Sequence, residues 1–497
     1  MKRRIKVALA ALMLAAVALS AFACAGGEIA KHEKNVNQYT IDASYDSAAH
    51  EINANYKLSY INNTEIPLTE LKLHLYPNAY RQGAKYPPVR QSQIDKAYPS
   101  GIGYGDIGVT DILLNGKAAQ AAVEGEDKNI LRVTFPAQLY PTARYTLECK
   151  FKLKLAKINH RLGYNDVTVN LGNWYPVACV YENGAYVTDP YYNNGDCFYS
   201  DIANYEIDLK AAADLKVAAT GNLQVVKEEN NFRFYKIKAS AVRDFAIVMS
   251  SQFETKAEQV GDTLVTYYYY KDADPARSLK TSADALKTFN ELFGKYPYKT
   301  LAVVKTAFLQ GGMEYPNLVY ISDAVSADYF QEVIVHEIAH QWWYGLVGNN
   351  EVKEAWLDEG LADYSTTLFF ERNEGYNIKK SDRIMEALKS YLLYVDIYQN
   401  LTGQIDTSMN RSTNAYKDEY EYVYMTYVKG ELLFDNLRTT VGDDAFFRGL
   451  KKYYDKYKFT NVSAPHLIGA FEGASGKDLG GFFKSWIEGK IYIADLY

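Results

Sequence analysis

The run His336-Glu337-Ile338-Ala339-His340, followed by Glu359 in Trp356-Leu357-Asp358-Glu359-Gly360, constrains this chain more than any other feature. Residues i and i+4 of a helix lie about 40° apart around its axis, so His336 and His340 project from one face toward one point. The stretch from Asp328 to Val335 carries apolar residues at helical spacing without Gly or Pro. That spacing predicts a helix running through Gln341-Trp342-Trp343 and stopping at Gly345. Glu359 comes 19 positions after His340, enough for the chain to turn and return a carboxylate on a second helix.

Two neutral imidazoles and one carboxylate would hold a divalent zinc ion at a net charge of about +1, with a coordination position left for water. The residual charge would acidify that water. Glu337, about 100° around the helix from His336, could then take its proton as a general base. Structural zinc sites close their shell with four protein ligands, commonly including Cys, and no Cys lies near these residues. One catalytic zinc ion per chain is the expectation.

The chain of 497 residues is long enough for two or three domains. Its 48% apolar content and 45 tyrosines mark globular material. A basic start, an apolar run from Val7 to Phe22 and small residues around Cys24 read as an export signal over residues 1–23. Loss of Lys2, Arg3, Arg4 and Lys6 with it takes the formal charge from −6 to −10, which argues against a nucleic-acid partner. Cys24 suits lipidation, with residues 24–36 as the lipid-bearing end and a polar tether to a bacterial membrane; simple cleavage and secretion is the alternative. Of Cys149, Cys179 and Cys197, the last two could pair outside the cytosol or remain as buried thiols.

From 37 to 255, short alternating runs such as Tyr39-Thr40-Ile41-Asp42-Ala43 and Tyr205-Glu206-Ile207-Asp208-Leu209 are separated by Asn, Gly and Pro turn signals. They predict an antiparallel β-sandwich domain. From 256 to 497 the pattern mixes strands such as Leu301-Ala302-Val303-Val304 with helices, which predicts an α+β domain carrying the zinc ligands.

Several motifs resemble the aminopeptidase N and leukotriene hydrolase family of gluzincin zinc metallopeptidases. They are GGMEYP from Gly311, HEIAHQWW from His336, WLDEGLADY from Trp356, TYVKGELLF from Thr426, and in the first domain LYPNAY from Leu75 and NLGNWYP from Asn170. The resemblance implies an N-terminal β-domain packed on a thermolysin-like catalytic domain, with zinc in the cleft. It also implies His336, His340 and Glu359 as ligands and Glu337 as base. By the same resemblance Glu314 binds the free α-amine of a peptide, beside Gly311, Gly312 and Met313 on an edge strand, and Tyr427 donates to the oxyanion. Tyr424 is the alternative donor. Asp363, four residues after Glu359, could accept the spare N–H of a ligand histidine. Tyr315 and Pro316 stand where many relatives have Asn after the amine-binding Glu, and many relatives continue into a helical C-terminal domain beyond the point where this sequence stops.

The resulting expectation is a zinc-dependent aminopeptidase acting on peptides with a free N-terminus outside the cytosol. Two alternatives are a metallo-endopeptidase and a surface peptide-binding lipoprotein with little turnover.

Overall fold

A computed structural model describes residues 27–489. The expected leader and Cys24 therefore lie outside the described residues. Among those described, no helix is long and apolar enough to cross a membrane.

Alternation of apolar and polar residues builds the N-terminal domain. In Asn37–Asp46 the side chains of Tyr39, Ile41, Ala43 and Tyr45 face inward and are buried. This strand lies inside an eight-stranded sheet, joined in the domain by two four-stranded sheets and a two-stranded one, Tyr181–Glu182 with Ala185–Tyr186. The sheets are largely antiparallel, with one departure: Asn37–Asp46 pairs in parallel with Ala203–Ala212. Parallel neighbours need a long crossover, and the chain between them forms the strands from Glu51–Ile61 to Ala185–Tyr186.

The tyrosine content has a structural use here. Tyr39 stacks on Tyr205 at 4.8 Å between ring centroids, with Tyr175 edge-on to both. Two buried hydroxyls anchor the chain: Tyr56 donates to the Pro176 carbonyl at 2.9 Å, and Tyr39 accepts from the Ala178 N–H at 3.0 Å. The Trp174-Tyr175-Pro176 segment is thereby pinned onto the large sheet.

The segment expected as a free tether is instead folded from Glu28 to Asn35. His32 stacks on Phe459, and Lys458 pairs with Glu28 at 2.7 Å, so contacts with the second domain order it. Cys149, Cys179 and Cys197 are all buried free thiols, so the Cys179–Cys197 pairing does not form. Burial pushes the Cys149 thiol up to about 12, which keeps it protonated and inert.

The second domain begins with a five-stranded mixed sheet in the order Glu254–Val260, Thr263–Tyr269, Thr300–Thr306, Leu318–Ser322, Gly312–Met313. Gly312–Met313 is thus an edge strand. Helix Pro275–Leu292, capped by Asp274 and opened by Pro275, packs on helix Phe330–Ala339, and further helices extend to Ile487.

Helix Phe330–Ala339 ends earlier than its sequence pattern predicts. His340 keeps a helical backbone as its last residue, but Tyr344 adopts φ of 111°. Such a conformation is costly for a tyrosine and persists only when its surroundings hold it. Arg243 of the β-domain donates to the Tyr344 carbonyl at 2.9 Å, and the Tyr344 N–H donates to Val347 O at 2.8 Å. Tyr344 and Asp244 are also hydrogen-bonded. Contact with the first domain therefore sets the end of the helix.

Candidate active site

Helix Phe330–Ala339 and helix Trp356–Arg372 pack against each other and bring His336, His340 and Glu359 together. The two histidine Nε2 atoms are 3.1 Å apart, and they lie 3.3 and 3.1 Å from Glu359 Oε2. Ligand atoms around a tetrahedral zinc with bonds of about 2.0–2.1 Å stand roughly 3.3 Å apart. The donor set and its spacing therefore fit that ion. Burial works against charge on Glu359, but His340 and His336 outweigh it and hold the carboxyl at about 2.

The outer ring nitrogens are also occupied. His336 Nδ1 lies 2.9 Å from Asp363 Oδ1, and His340 Nδ1 lies 3.0 Å from the Trp343 carbonyl. An acceptor at each Nδ1 fixes the tautomer whose Nε2 lone pair faces inward. Asp363 is thus placed where sequence spacing pointed.

Glu337 faces the same cleft, buried, with Oε2 free of hydrogen-bond partners. Burial pushes its carboxyl up to about 7. Its other oxygen lies against the edge strand so closely that a Cβ at Gly312 would stand 2.3 Å from it. Only glycine leaves that approach open. Gly311 has open space beside it, with Val333 as its nearest neighbour at 3.9 Å, whereas the Met313 side chain is buried beneath the strand.

The position of Glu314 is set by Gln341, whose side chain donates to the carbonyls of Glu314 and Tyr315 and accepts from the Asn317 N–H at 2.8 Å. Glu314 is buried and its Oε1 is unpartnered. Asp196, Glu314 and Glu359 each place one carboxylate oxygen within 4.8 Å of the others. Asp196 was not visible to sequence reasoning. It comes from a β-domain loop and is ion-paired with buried Arg161. Its only local signal is the turn-forming Asn193-Asn194-Gly195 before it, which predicts a loop and nothing more. Tyr315 donates to Asn173 at 2.8 Å across the domain boundary, so it braces the cleft wall rather than facing solvent.

Tyr427 lies in one wide π-type turn, Tyr424–Val428. Its hydroxyl donates to Glu359 Oε1, and its ring stacks on His336 at 5.8 Å. Tyr424 turns away and stacks on Tyr394 at 4.4 Å, which removes it as the alternative donor. Tyr422, missed from sequence, lines the cleft with its hydroxyl unpartnered. The whole cleft encloses about 410 Å³.

Residues 277–486 match the Peptidase family M1 domain. The matched residues include His336, Glu337, His340, Glu359 and Tyr427. Aminopeptidase N of Lactococcus lactis subsp. lactis is 31% identical over 170 residues, 34% of this chain and 19% of the relative. Aminopeptidase N of Streptomyces lividans is 28% identical over 219 residues, 40% of this chain and 24% of the relative. The chain thus matches about a fifth to a quarter of the length of these curated relatives. An M1 zinc metallopeptidase from Deinococcus radiodurans shares the fold, with a TM-score of 0.64 at 18% identity over 92% of this chain and 94% of that one. A mutant form bound to a Tyr-Ser-Ala substrate gives a TM-score of 0.59 at 17% identity, again over 92% of this chain and 94% of that one.

Proposed function

We propose that this chain is a zinc-dependent aminopeptidase that removes N-terminal residues from peptides. The observation that carries the reading is the buried, unpartnered Glu314 carboxylate, which with Asp196 lies within 4.8 Å of the ligand carboxylate of Glu359. Two carboxylates there favour an ammonium group, and an α-amine held beside Glu359 would bring the first peptide bond of a bound chain toward the candidate metal position.

Zinc held by His336, His340 and Glu359 would supply Lewis acidity toward the scissile carbonyl and lower the pKa of water. The substrate backbone lies along Gly311, Gly312 and Met313, where an edge strand offers free N–H and C=O groups. Glu337 takes a proton from the attacking water and returns it to the departing nitrogen. The Tyr427 hydroxyl transfers its hydrogen bond from Glu359 to the developing oxyanion, a contact worth more in the transition state than in the ground state.

The leader and Cys24 support an extracytoplasmic, lipid-anchored setting. Metabolic labelling with a fatty acid tests it, and an unlabelled wild-type chain would overturn the anchor.

The function is tested with aminoacyl chromogenic amides, each free or N-acetylated, using wild type and the Glu337→Ala and Glu314→Ala variants, with chelator followed by zinc. Cleavage restricted to free-amine substrates, abolished by Glu337→Ala and restored by zinc, is expected. Glu314→Ala is expected to keep its zinc and lose the free-amine preference. Cleavage of blocked substrates by wild type would make the chain an endopeptidase, and zinc binding without turnover would make it a peptide-binding protein.

A further inference from the structure

One side chain from a fourth helix ties together the three helices that supply the candidate ligands and Tyr427. Arg383, in helix Lys380–Thr402, donates from Nε to Thr367 Oγ1 at 2.7 Å and from Nη1 to Glu332 Oε2, while Nη2 lies 3.8 Å from Glu431 Oε1. The Thr367 hydroxyl accepts from Arg383 and donates in turn to Glu431 Oε1. Glu332 belongs to helix Phe330–Ala339 and Thr367 to helix Trp356–Arg372. Glu431 belongs to helix Lys429–Val441, which continues from the turn bearing Tyr427.

The positions of these partners follow one pattern. Glu332 precedes His336 by four residues, Thr367 follows Asp363 by four and Glu359 by eight, and Glu431 follows Tyr427 by four. A spacing of four keeps a side chain on nearly the same helix face, about 6 Å along the axis. Glu332, Thr367 and Glu431 therefore form a layer about one turn away from His336, Asp363 and Tyr427, and Arg383 joins all three.

Stability alone is a poor reason for such a network, because apolar side chains of similar volume often serve as well as buried ion pairs. Geometry is what it supplies. A guanidinium is a rigid planar fork whose N–H directions are fixed relative to one another, which a lysine ammonium does not reproduce. Burial pushes the Glu431 carboxyl up to about 7, and the Arg383 charge is the main influence opposing that rise. Arg383 also lines the cleft, where Arg161 is the only other Lys or Arg among the described residues and is already paired with Asp196.

We propose that Arg383 is a positioning residue for the reaction: by holding Glu332, Thr367 and Glu431 it sets the spacing between the helices that carry His336, Glu359 and Tyr427. Its expected effect on turnover rests on the peptidase reading above, whereas its expected effect on metal affinity does not.

The test uses the full mature chain as wild type, Arg383→Met, Arg383→Lys and Glu332→Gln. Zinc affinity is measured by competition with a chelator, Tm by thermal unfolding, and kcat and KM on a free-amine aminoacyl amide well below the Tm of every variant. Arg383→Met is expected to weaken zinc binding and to lower kcat by about tenfold each, with KM changed by less than about twofold. Arg383→Lys is expected to fall short of wild type in both, and Glu332→Gln to shift both in the same direction. A merely structural salt bridge would lower Tm and leave kcat and zinc affinity at wild-type values, and that result in Arg383→Met overturns the proposal. Full rescue by Arg383→Lys overturns it too, since charge alone would then suffice, as does a change confined to KM, which would make Arg383 a substrate-binding group. If wild type cleaves no peptide, the peptidase reading fails and zinc affinity alone decides for or against Arg383. If Arg383→Met fails to fold, Arg383→Lys and Glu332→Gln decide.

Discussion

Gly360 and Gly430 touch backbone to backbone where the helix carrying Glu359 crosses the helix that continues from Tyr427. A Cβ at Gly430 would stand 2.6 Å from Gly360 Cα, and one at Gly360 would stand 2.9 Å from Gly430 Cα. This close crossing lets the Tyr427 hydroxyl reach Glu359. Gly430→Ala must push the two helices apart. Overpacking of this kind costs about 1–3 kcal/mol. Denaturant unfolding is expected to show that loss, together with a fall in turnover; unchanged values for both would mean that the crossing is not tight.

Tyr427→Phe removes the phenol while keeping the ring that stacks on His336. Turnover is expected to fall by about 10²–10³, with zinc content unchanged and KM little altered. Full turnover in this variant would transfer the role to Tyr422, whose free hydroxyl lines the same cleft.

Asp363 orients His336 from 2.9 Å. Asp363→Asn is expected to weaken zinc binding by about 10–100-fold, as loss of a supporting carboxylate does at other metal sites. Competition with a chelator measures this directly, and an unchanged affinity would make the contact incidental.

Lys429 gives a pH signature. Its ammonium is buried, donating to the Thr407 and Trp486 carbonyls at 2.6 and 2.7 Å. Burial, then the nearby Arg411, lowers its pKa to about 7. An unfolded lysine titrates near about 10.4. Between those two values the unfolded chain binds more protons, so stability rises with pH. Wild type is expected to gain stability relative to Lys429→Met from about pH 7 to about pH 10, by at most about 1.4 kcal/mol per unit. A flat difference across that range would show that Lys429 titrates normally.

The clustering of the candidate metal ligands was legible in the sequence because its geometry is local. His336 and His340 need one helical turn, and that turn survives although the helix ends at Ala339 rather than near Gly345. Asp363 follows from the same rule, four residues beyond Glu359. Strand alternation likewise marked the β-domain, since a period of two is written residue by residue.

Contacts between distant segments were decided only by tertiary structure. Asp196 reaches Glu314 because the β-domain folds over the cleft, and nothing in its loop sequence encodes that approach. Arg243 sets the turn at Tyr344 from about a hundred residues away. The wide turn at Tyr424–Val428 selects Tyr427 over Tyr424, a choice that regular helical spacing does not make. Ligand spacing along one helix is a property of covalent geometry, whereas the carboxylates around Glu314 were assembled by packing, which depends on every segment at once.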